Sequence, residues 1–144
     1  MEKIQPDDYG EYNTYQYWLD GIPADSTNHP GFIPVEQISG PVVLISGKDD
    51  QLWPSSFMAN QIERRLKKRG FPFPVFNLQY EDSGHLISGN PDHQVAPGSS
   101  FYYVEKEKVD FQFGGSAEGD LLAKRAARDF ILSFDWKKEQ MSNE

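Results

Sequence analysis

Two different hydrophobic patterns follow one another in the middle of the chain. Residues 42–46 form an uninterrupted apolar run, which is typical of a strand covered on both faces of a parallel sheet. Residues 55–69 instead carry an apolar side chain at every fourth position, which predicts an amphipathic helix. The apolar stripe of this helix is Met58, Ile62 and Leu66. Apolar and polar residues then alternate over residues 75–80, as in a second strand. Strand, helix and strand in this order predict a parallel βαβ unit.

Local signals predict where the helix of this unit begins and ends. Pro54 suits a first helical position, because its missing N–H would have no partner there. Gly70 follows a basic last turn and is expected to end the helix in a left-handed conformation. Upstream of the unit, residues 33–38 predict a short turn of helix before the break at Gly40.

The outer parts of the chain have weaker patterns. Residues 1–32 are acidic and rich in tyrosine without a sustained period, which predicts irregular structure with room for one short helix. Residues 88–115 are rich in Gly, Pro and Ser and predict a long loop. A last helix is predicted from Ala117 to about Lys137, capped by Ser116 and weakened by Gly119, at about 1 kcal/mol relative to alanine. Its expected buried face is Leu122, Ala126, Phe130 and Phe134.

Composition narrows the classes of function. A chain of 144 residues fits one domain. Its net charge of −8 would be repelled by phosphate backbones, so we expect no nucleic-acid partner. Cysteine is absent, which excludes disulfides, thiolate metal sites and a cysteine nucleophile within these residues. No apolar run approaches the ~20 residues of a membrane span, and no secretion signal is apparent, so we expect a cytoplasmic protein.

Two residues that follow the predicted strands carry candidate catalytic chemistry. Asp50 stands three residues after Gly47, and His85 lies within Ser83-Gly84-His85-Leu86. The carboxyl ends of neighbouring parallel strands share one edge of a sheet, so we expect these two side chains to meet there. In α/β hydrolases the chain order of a catalytic triad is nucleophile, acid, histidine, and Asp50 and His85 fit the last two places.

Other interpretations of these residues stay open. Asp49 competes for the role of acid, although the spacing Gly-x-x-Asp-x-x-Trp-Pro favours Asp50 and leaves Asp49 as a turn carboxylate. Both acids would otherwise only accept turn amides, and His85 would be a polar surface residue. His93 and Asp92 resemble a pair of metal ligands, but nothing else has ligand spacing, so we predict neither a metal ion nor a cofactor.

The sequence contains no candidate for the nucleophile of this triad. In α/β hydrolases it stands in a Gly-x-Ser-x-Gly elbow between a strand and a helix. The serines that precede Asp50 are Ser26, Ser39 and Ser46, and none has these flanking glycines. Ser46 also ends its own predicted strand, where its side chain cannot occupy an elbow. The loop that would donate an oxyanion-hole amide is missing too, so we expect the C-terminal portion of an enzyme.

The motifs around these residues resemble one family, the acyl-CoA thioesterases and bile acid-CoA:amino acid N-acyltransferases. The motifs are Ile33-Pro34-Val35-Glu36, residues 40–55, residues 80–87 and Gly114-Gly115-Ser116, and the resemblance covers residues 33–136. It implies an α/β-hydrolase fold that acts on acyl-CoA thioesters, with Asp50 as triad acid and His85 as triad base. The family's nucleophile has no counterpart here, and Gly89-Asn90-Pro91-Asp92 departs from the family's proline-rich loop.

Together these observations predict the C-terminal portion of an α/β-hydrolase fold, with parallel strands, flanking helices and an incomplete sheet. The predicted organisation is an irregular segment at 1–32, the hydrolase part at 33–137 and a disordered tail at 138–144. The parent enzyme would bind an acyl-CoA thioester, and this chain alone should show little turnover. Two alternatives are a dienelactone-hydrolase-like esterase or peptidase of the same fold, and a non-catalytic chain that associates through a bare strand edge.

Overall fold

The computed structural model describes residues 4–23, 31–92, 98–104 and 106–135. The predicted tail at 138–144 and two of the residues named above, Ser26 and His93, lie outside these ranges, as does His29. No helix within the described ranges combines the length and the apolar character that a membrane crossing requires.

The described residues form five strands, three helices and one 3-10 turn. In chain order they are β1 (Glu11–Tyr12), α1 (Tyr15–Gly21), a 3-10 turn (Val35–Gln37), β2 (Val42–Gly47), α2 (Ser55–Lys68), β3 (Val75–Tyr80), β4 (Gly98–Val104), β5 (Glu107–Gly114) and α3 (Ala117–Ser133). The short turn predicted after residue 33 and the short helix in the N-terminal segment are both present.

The predicted βαβ unit is confirmed. Strands β2 and β3 pair in parallel from Val42 opposite Val75 to Gly47 opposite Tyr80, and α2 connects them. Helix α3 contacts both strands, and Phe76 of β3 packs against Phe130 of this helix with ring centroids 5.1 Å apart. This two-stranded parallel sheet with flanking helices confirms the α/β fold class and the incomplete sheet.

The end of α2 is also as predicted. Gly70 has a φ of +64°, its N–H donates to the carbonyl of Lys67, and the N–H of Phe71 donates to the carbonyl of Leu66. These two bonds form a Schellman motif, which satisfies carbonyls that the helix leaves unpaired. The predicted apolar stripe is correct for Leu66, which is fully buried, and wrong for Met58, which is exposed.

The buried face of α3 differs from the predicted one. Phe130 and Phe134 contact Phe76 as expected, but Leu122 is 57% exposed and Ala126 is exposed as well. Their places are taken by Ala123 and Ala127, one position further along the helix. Small side chains at these positions let α3 lie close to the sheet.

Gly119 has a packing role that helix propensity does not reveal. A Cβ at this position would lie 1.8 Å from the carbonyl oxygen of Asp82, far inside contact distance. The predicted gain from alanine is therefore wrong, because alanine would force the start of α3 away from the loop after β3. Ser116 caps this helix as predicted, accepting the N–H of Gly119 at 3.0 Å.

The prediction of a long loop at residues 88–115 is wrong for most of residues 98–114, which form two strands. Strands β4 and β5 form an antiparallel hairpin there, and β1 adds to β5 in parallel to give a second sheet in the order β1-β5-β4. Residues 108–113 alternate polar and apolar side chains, which is a strand pattern. Pairing with β4 and β1 stabilises this pattern in spite of the Gly, Pro and Ser residues nearby.

Candidate active site

The loop after β2 holds Asp50 in one orientation. Its carboxyl oxygen Oδ1 accepts the backbone N–H groups of Leu52 at 3.0 Å and Trp53 at 2.9 Å. Pro54 follows directly, and α2 begins one residue later. The turn amides thus occupy one carboxyl oxygen and leave Oδ2 directed elsewhere.

The loop after β3 is bonded to two neighbouring segments. The N–H of Asp49 donates to the carbonyl of Ser83 at 3.0 Å, which joins it to the Asp50 loop. The N–H of His85 donates to the carbonyl of Phe113 at 2.8 Å, at the end of β5. Burial raises the pKa of Tyr80, which ends β3.

Gly47 allows these two loops to approach each other. A Cβ on Gly47 would lie 2.2 Å from the carbonyl oxygen of Ser83 and 2.4 Å from that of Gly84. Both atoms belong to the backbone, so no side-chain rotation would relieve the clash. Gly47, the glycine of the Gly-x-x-Asp spacing, is therefore the residue against which the loop after β3 packs. Because this loop carries His85, we call it the histidine loop.

The structure brings the two predicted site residues together. His85 Nδ1 lies 3.2 Å from Asp50 Oδ2, within hydrogen-bond distance. The Asp50 side chain is 3% exposed and the imidazole 25%. Because a carboxylate only accepts hydrogen bonds, this geometry favours the tautomer with the proton on Nδ1. Nε2 is then the nitrogen available to a reacting group.

Aromatic rings surround the imidazole. The ring centroid of Trp53 lies 5.2 Å from that of His85, in an edge-to-face arrangement, and Phe113 lies 5.4 Å away. Trp53 is half-exposed and also packs edge-to-face against Trp18 of α1. These rings limit the rotation of the imidazole and form an apolar wall beside it.

Asp49, the other candidate for the acid, and Ser46, a serine upstream of Asp50, do not contact His85 in this way. Asp49 is exposed and lines an open pocket of about 580 Å³ together with Asp50. Ser46 is buried, and its hydroxyl accepts a hydrogen bond from Ser56 at 3.3 Å. Within the described ranges, no group of three or more His, Asp or Glu side chains is arranged to hold a metal ion.

Comparison with protein families identifies the wider group. Residues 11–138 match the family model described as "BAAT / Acyl-CoA thioester hydrolase C terminal". The chain belongs to this family. The match includes both Asp50 and His85, and it begins upstream of the motifs that carry the resemblance, so that it also includes β1 and α1.

Curated members of this thioester hydrolase family align with much of the chain. Acyl-coenzyme A thioesterase 6 of Homo sapiens is 35% identical over 112 residues, which are 78% of this chain and 25% of that protein. The Mus musculus protein of the same name is 31% identical over 87 residues, 60% of this chain and 20% of that protein. Peroxisomal succinyl-coenzyme A thioesterase of Mus musculus is 29% identical over 106 residues, 74% of this chain and 24% of that protein. The chain thus spans a quarter or less of the length of these relatives.

Asp120 also contacts this site, and the sequence analysis missed it. Its Oδ1 accepts the N–H of Gly84 at 2.8 Å, next to His85 in the chain. One signal was present in the sequence. Asp120 precedes Ala123 and Ala127 by three and seven residues, which puts an acidic side chain on the helix face that is buried.

Proposed function

We propose that this chain supplies the acid and the base of an enzyme that hydrolyses acyl-CoA thioesters. Asp50 is the triad acid, His85 is the triad base, and the nucleophile comes from sequence outside these 144 residues. The observation that carries the proposal is the 3.2 Å contact between His85 Nδ1 and Asp50 Oδ2. Family membership and the names of the curated relatives support thioesters as the substrate class.

Asp50 acts by orienting the imidazole. Two backbone amides hold its Oδ1, so Oδ2 faces His85 in a fixed position. The carboxylate keeps the proton on Nδ1 and stabilises the imidazolium that forms when Nε2 takes up a second proton. Because Asp50 is almost completely buried, little water competes for this interaction.

His85 moves protons in both halves of the reaction. As the nucleophile attacks the thioester carbonyl carbon, its proton passes to Nε2. When the tetrahedral intermediate collapses, the C–S bond breaks and the Nε2 proton passes to the sulfur of coenzyme A. Water then attacks the acyl-enzyme and gives a proton to Nε2. As the bond between the acyl carbon and the nucleophile breaks, this proton returns to the nucleophile and the carboxylic acid is released. If an amino acid attacked instead of water, the product would be an N-acyl amino acid.

The absence of a nucleophile can be tested on the purified chain. We expect no hydrolysis of palmitoyl-CoA above the buffer rate, by the wild-type chain or by His85→Ala. The measurement is release of free thiol. A rate that the wild-type chain shows and His85→Ala lacks would demonstrate a nucleophile within these residues and contradict that part of the proposal.

The roles of Asp50 and His85 require a complete catalytic domain. In a chimera, residues 11–138 replace the corresponding region of human acyl-coenzyme A thioesterase 6. We expect thioester hydrolysis by the chimera, a loss of about 10³-fold or more in kcat for His85→Ala, and a smaller loss for Asp50→Asn. His29→Ala is the matched control and should retain activity. Adding glycine to the assay and measuring N-acylglycine distinguishes hydrolysis from transfer.

Circular dichroism separates loss of function from loss of folding in the chimera. A folded, active chimera that keeps its rate after His85→Ala would exclude His85 as the base. If the chimera does not fold, the His85 tautomer in the wild-type chain and in Asp50→Asn provides a second measurement. The proposal then requires that Asp50→Asn abolish the preference for a proton on Nδ1.

One observation favours a second candidate function, association with another chain without catalysis. Among the described residues β2 pairs only with β3, so its other edge has no strand partner there. Exposed strand edges of this kind promote pairing between chains. Light scattering tests it, since a monomer at all accessible concentrations would exclude self-association. The cytoplasmic location predicted above stays a prediction.

A further inference from the structure

We propose that Asp120 is a positioning residue, which holds the main chain of the histidine loop so that the His85 imidazole faces Asp50. It acts through the backbone of Gly84 and has no contact with the reacting atoms. The catalytic meaning of this inference rests on the proposed function. Its geometric content is independent of turnover, so the two can fail separately.

The surroundings of Asp120 suit a fixed acceptor. The residue is 7% exposed, and its Oδ1 accepts the Gly84 N–H at 2.8 Å. A buried carboxylate is costly unless it is hydrogen-bonded, so this bond has to form for the site to fold in this way. Asp120 also lies in the first turn of α3, where the helix dipole favours negative charge.

The histidine loop has hydrogen bonds on three successive residues. The carbonyl of Ser83 accepts from Asp49, and the N–H of His85 donates to Phe113. Both are backbone bonds, which no substitution of a side chain removes. Gly84 between them depends on the side chain of Asp120. Asp120 is thus the point at which a mutation can release the middle of this loop.

Ser116, the residue before α3, makes a second contact between this helix and the histidine loop. Ser116 donates its backbone N–H to the carbonyl of Asp82 at 3.0 Å and its hydroxyl to Asp82 Oδ2 at 2.5 Å. Together with the Gly84 bond, these contacts hold the residues before His85 against the helix. Rotation of the Gly84 peptide would turn the Cα–Cβ bond of His85 and move Nδ1 away from Asp50.

Two substitutions distinguish the role of Asp120 as a hydrogen-bond acceptor from the role of its negative charge. Asp120→Asn keeps an oxygen for the Gly84 N–H and removes the charge, whereas Asp120→Ala removes both. We expect Asp120→Asn to keep a single His85 tautomer with the proton on Nδ1. We expect Asp120→Ala to lose this single tautomer and to increase the exchange rate of the Gly84 amide about tenfold. The measurements are long-range ¹H–¹⁵N correlation spectra of the imidazole in alkaline buffer and amide hydrogen exchange of the full chain.

A matched control separates positioning from general loss of stability. Ala127→Gly alters the same buried face of α3, two turns after Asp120, and should lower stability without changing the His85 tautomer. If Asp120→Ala is unfolded, Asp120→Glu replaces it, because it keeps the charge and displaces the acceptor by one methylene. The same tautomer in all variants would overturn the proposal. Equal loss in Asp120→Asn and Asp120→Ala, or loss in Ala127→Gly, would overturn it as well.

Discussion

The faces and the carboxyl edge of the β2–β3 sheet are held by different forces. On the faces, apolar groups pack against the helices, such as the rings of Phe76 and Phe134 with centroids 5.0 Å apart and the fully buried Leu66. Side-chain hydrogen bonds, such as that from Asn77 of β3 to Asn60 of α2 at 3.0 Å, add to this packing.

At the edge, hydrogen bonds join the loops to each other and to α3, with the acceptors Asp50 and Asp120 both buried, and the rings of Trp53 and Phe113 pack beside His85. Burial of apolar area is non-directional, whereas a hydrogen bond depends on distance and angle.

Because of this difference, we expect mutations on the faces to affect mainly stability and mutations at the edge to affect mainly the geometry of the site. A mutation on a face removes buried area and lowers the free energy of unfolding, while the loops at the edge keep their bonds. A mutation at the edge shifts donor and acceptor by tenths of an ångström. Such a shift costs less stability than the loss of a fully buried side chain, but it is large for a His85–Asp50 contact of 3.2 Å. Variants on each side of this division test it.

The largest effect is expected on the α2 face, for Leu66→Ala. Because Leu66 is fully buried, truncation should lower the free energy of unfolding by about 2–5 kcal/mol. Urea denaturation measures the loss, and imidazole spectra recorded on the folded fraction should still show the wild-type His85 tautomer. Leu132→Ala is the control, since Leu132 is 77% exposed and should change stability little. A changed tautomer in folded Leu66→Ala would mean that face and edge are coupled.

The same division explains which features the sequence could predict. Strand β2, strand β3 and the meeting of Asp50 with His85 depend on local periodicity and on the rule that parallel strands end at one edge. These signals lie within short segments, and the structure agrees with them. The catalytic roles of the two residues stay predictions.

The features that were missed depend on contacts between distant segments. The Gly, Pro and Ser content of residues 88–115 predicts a loop, although residues 108–113 alternate as a strand does and pair in the β4–β5 hairpin. The Asp120 bond joins residues 36 positions apart and ends on a backbone amide, which leaves no mark on the sequence of the histidine loop. In the first half of α3 the buried face lies one position from the predicted one, because the small side chains of Ala123 and Ala127 give a weaker apolar signal than Leu122.

An intermediate effect is expected at the edge, for Gly47→Ala. The added methyl group would meet the backbone oxygens of Ser83 and Gly84, so the histidine loop must move. We expect a loss of about 1–3 kcal/mol in stability and, unlike Leu66→Ala, loss of the single His85 tautomer. Gly21→Ala is the control, since nothing lies within 4 Å of a Cβ at that position. A folded Gly47→Ala chain with an unchanged tautomer would show that the loop tolerates displacement.

The smallest effect is expected far from the edge, where Glu36 of the 3-10 turn binds α2. Arg65 donates to both of its carboxyl oxygens, at 2.7 and 2.8 Å, and these bonds lower the pKa of Glu36 from 4.5 to about 2. A lowered pKa in the folded state means that the ion pair stabilises the fold fully above pH 4.5 and loses this effect as pH falls towards 2. Urea denaturation of wild type and Glu36→Gln should therefore show a modest difference at neutral pH that disappears near pH 2, with an unchanged His85 tautomer. Glu81→Gln is the control, because the Glu81 side chain is 77% exposed and its pairing with Lys48 is screened by water. A difference between wild type and Glu36→Gln that persists undiminished in acid would mean that shape, and not charge, joins this turn to the helix.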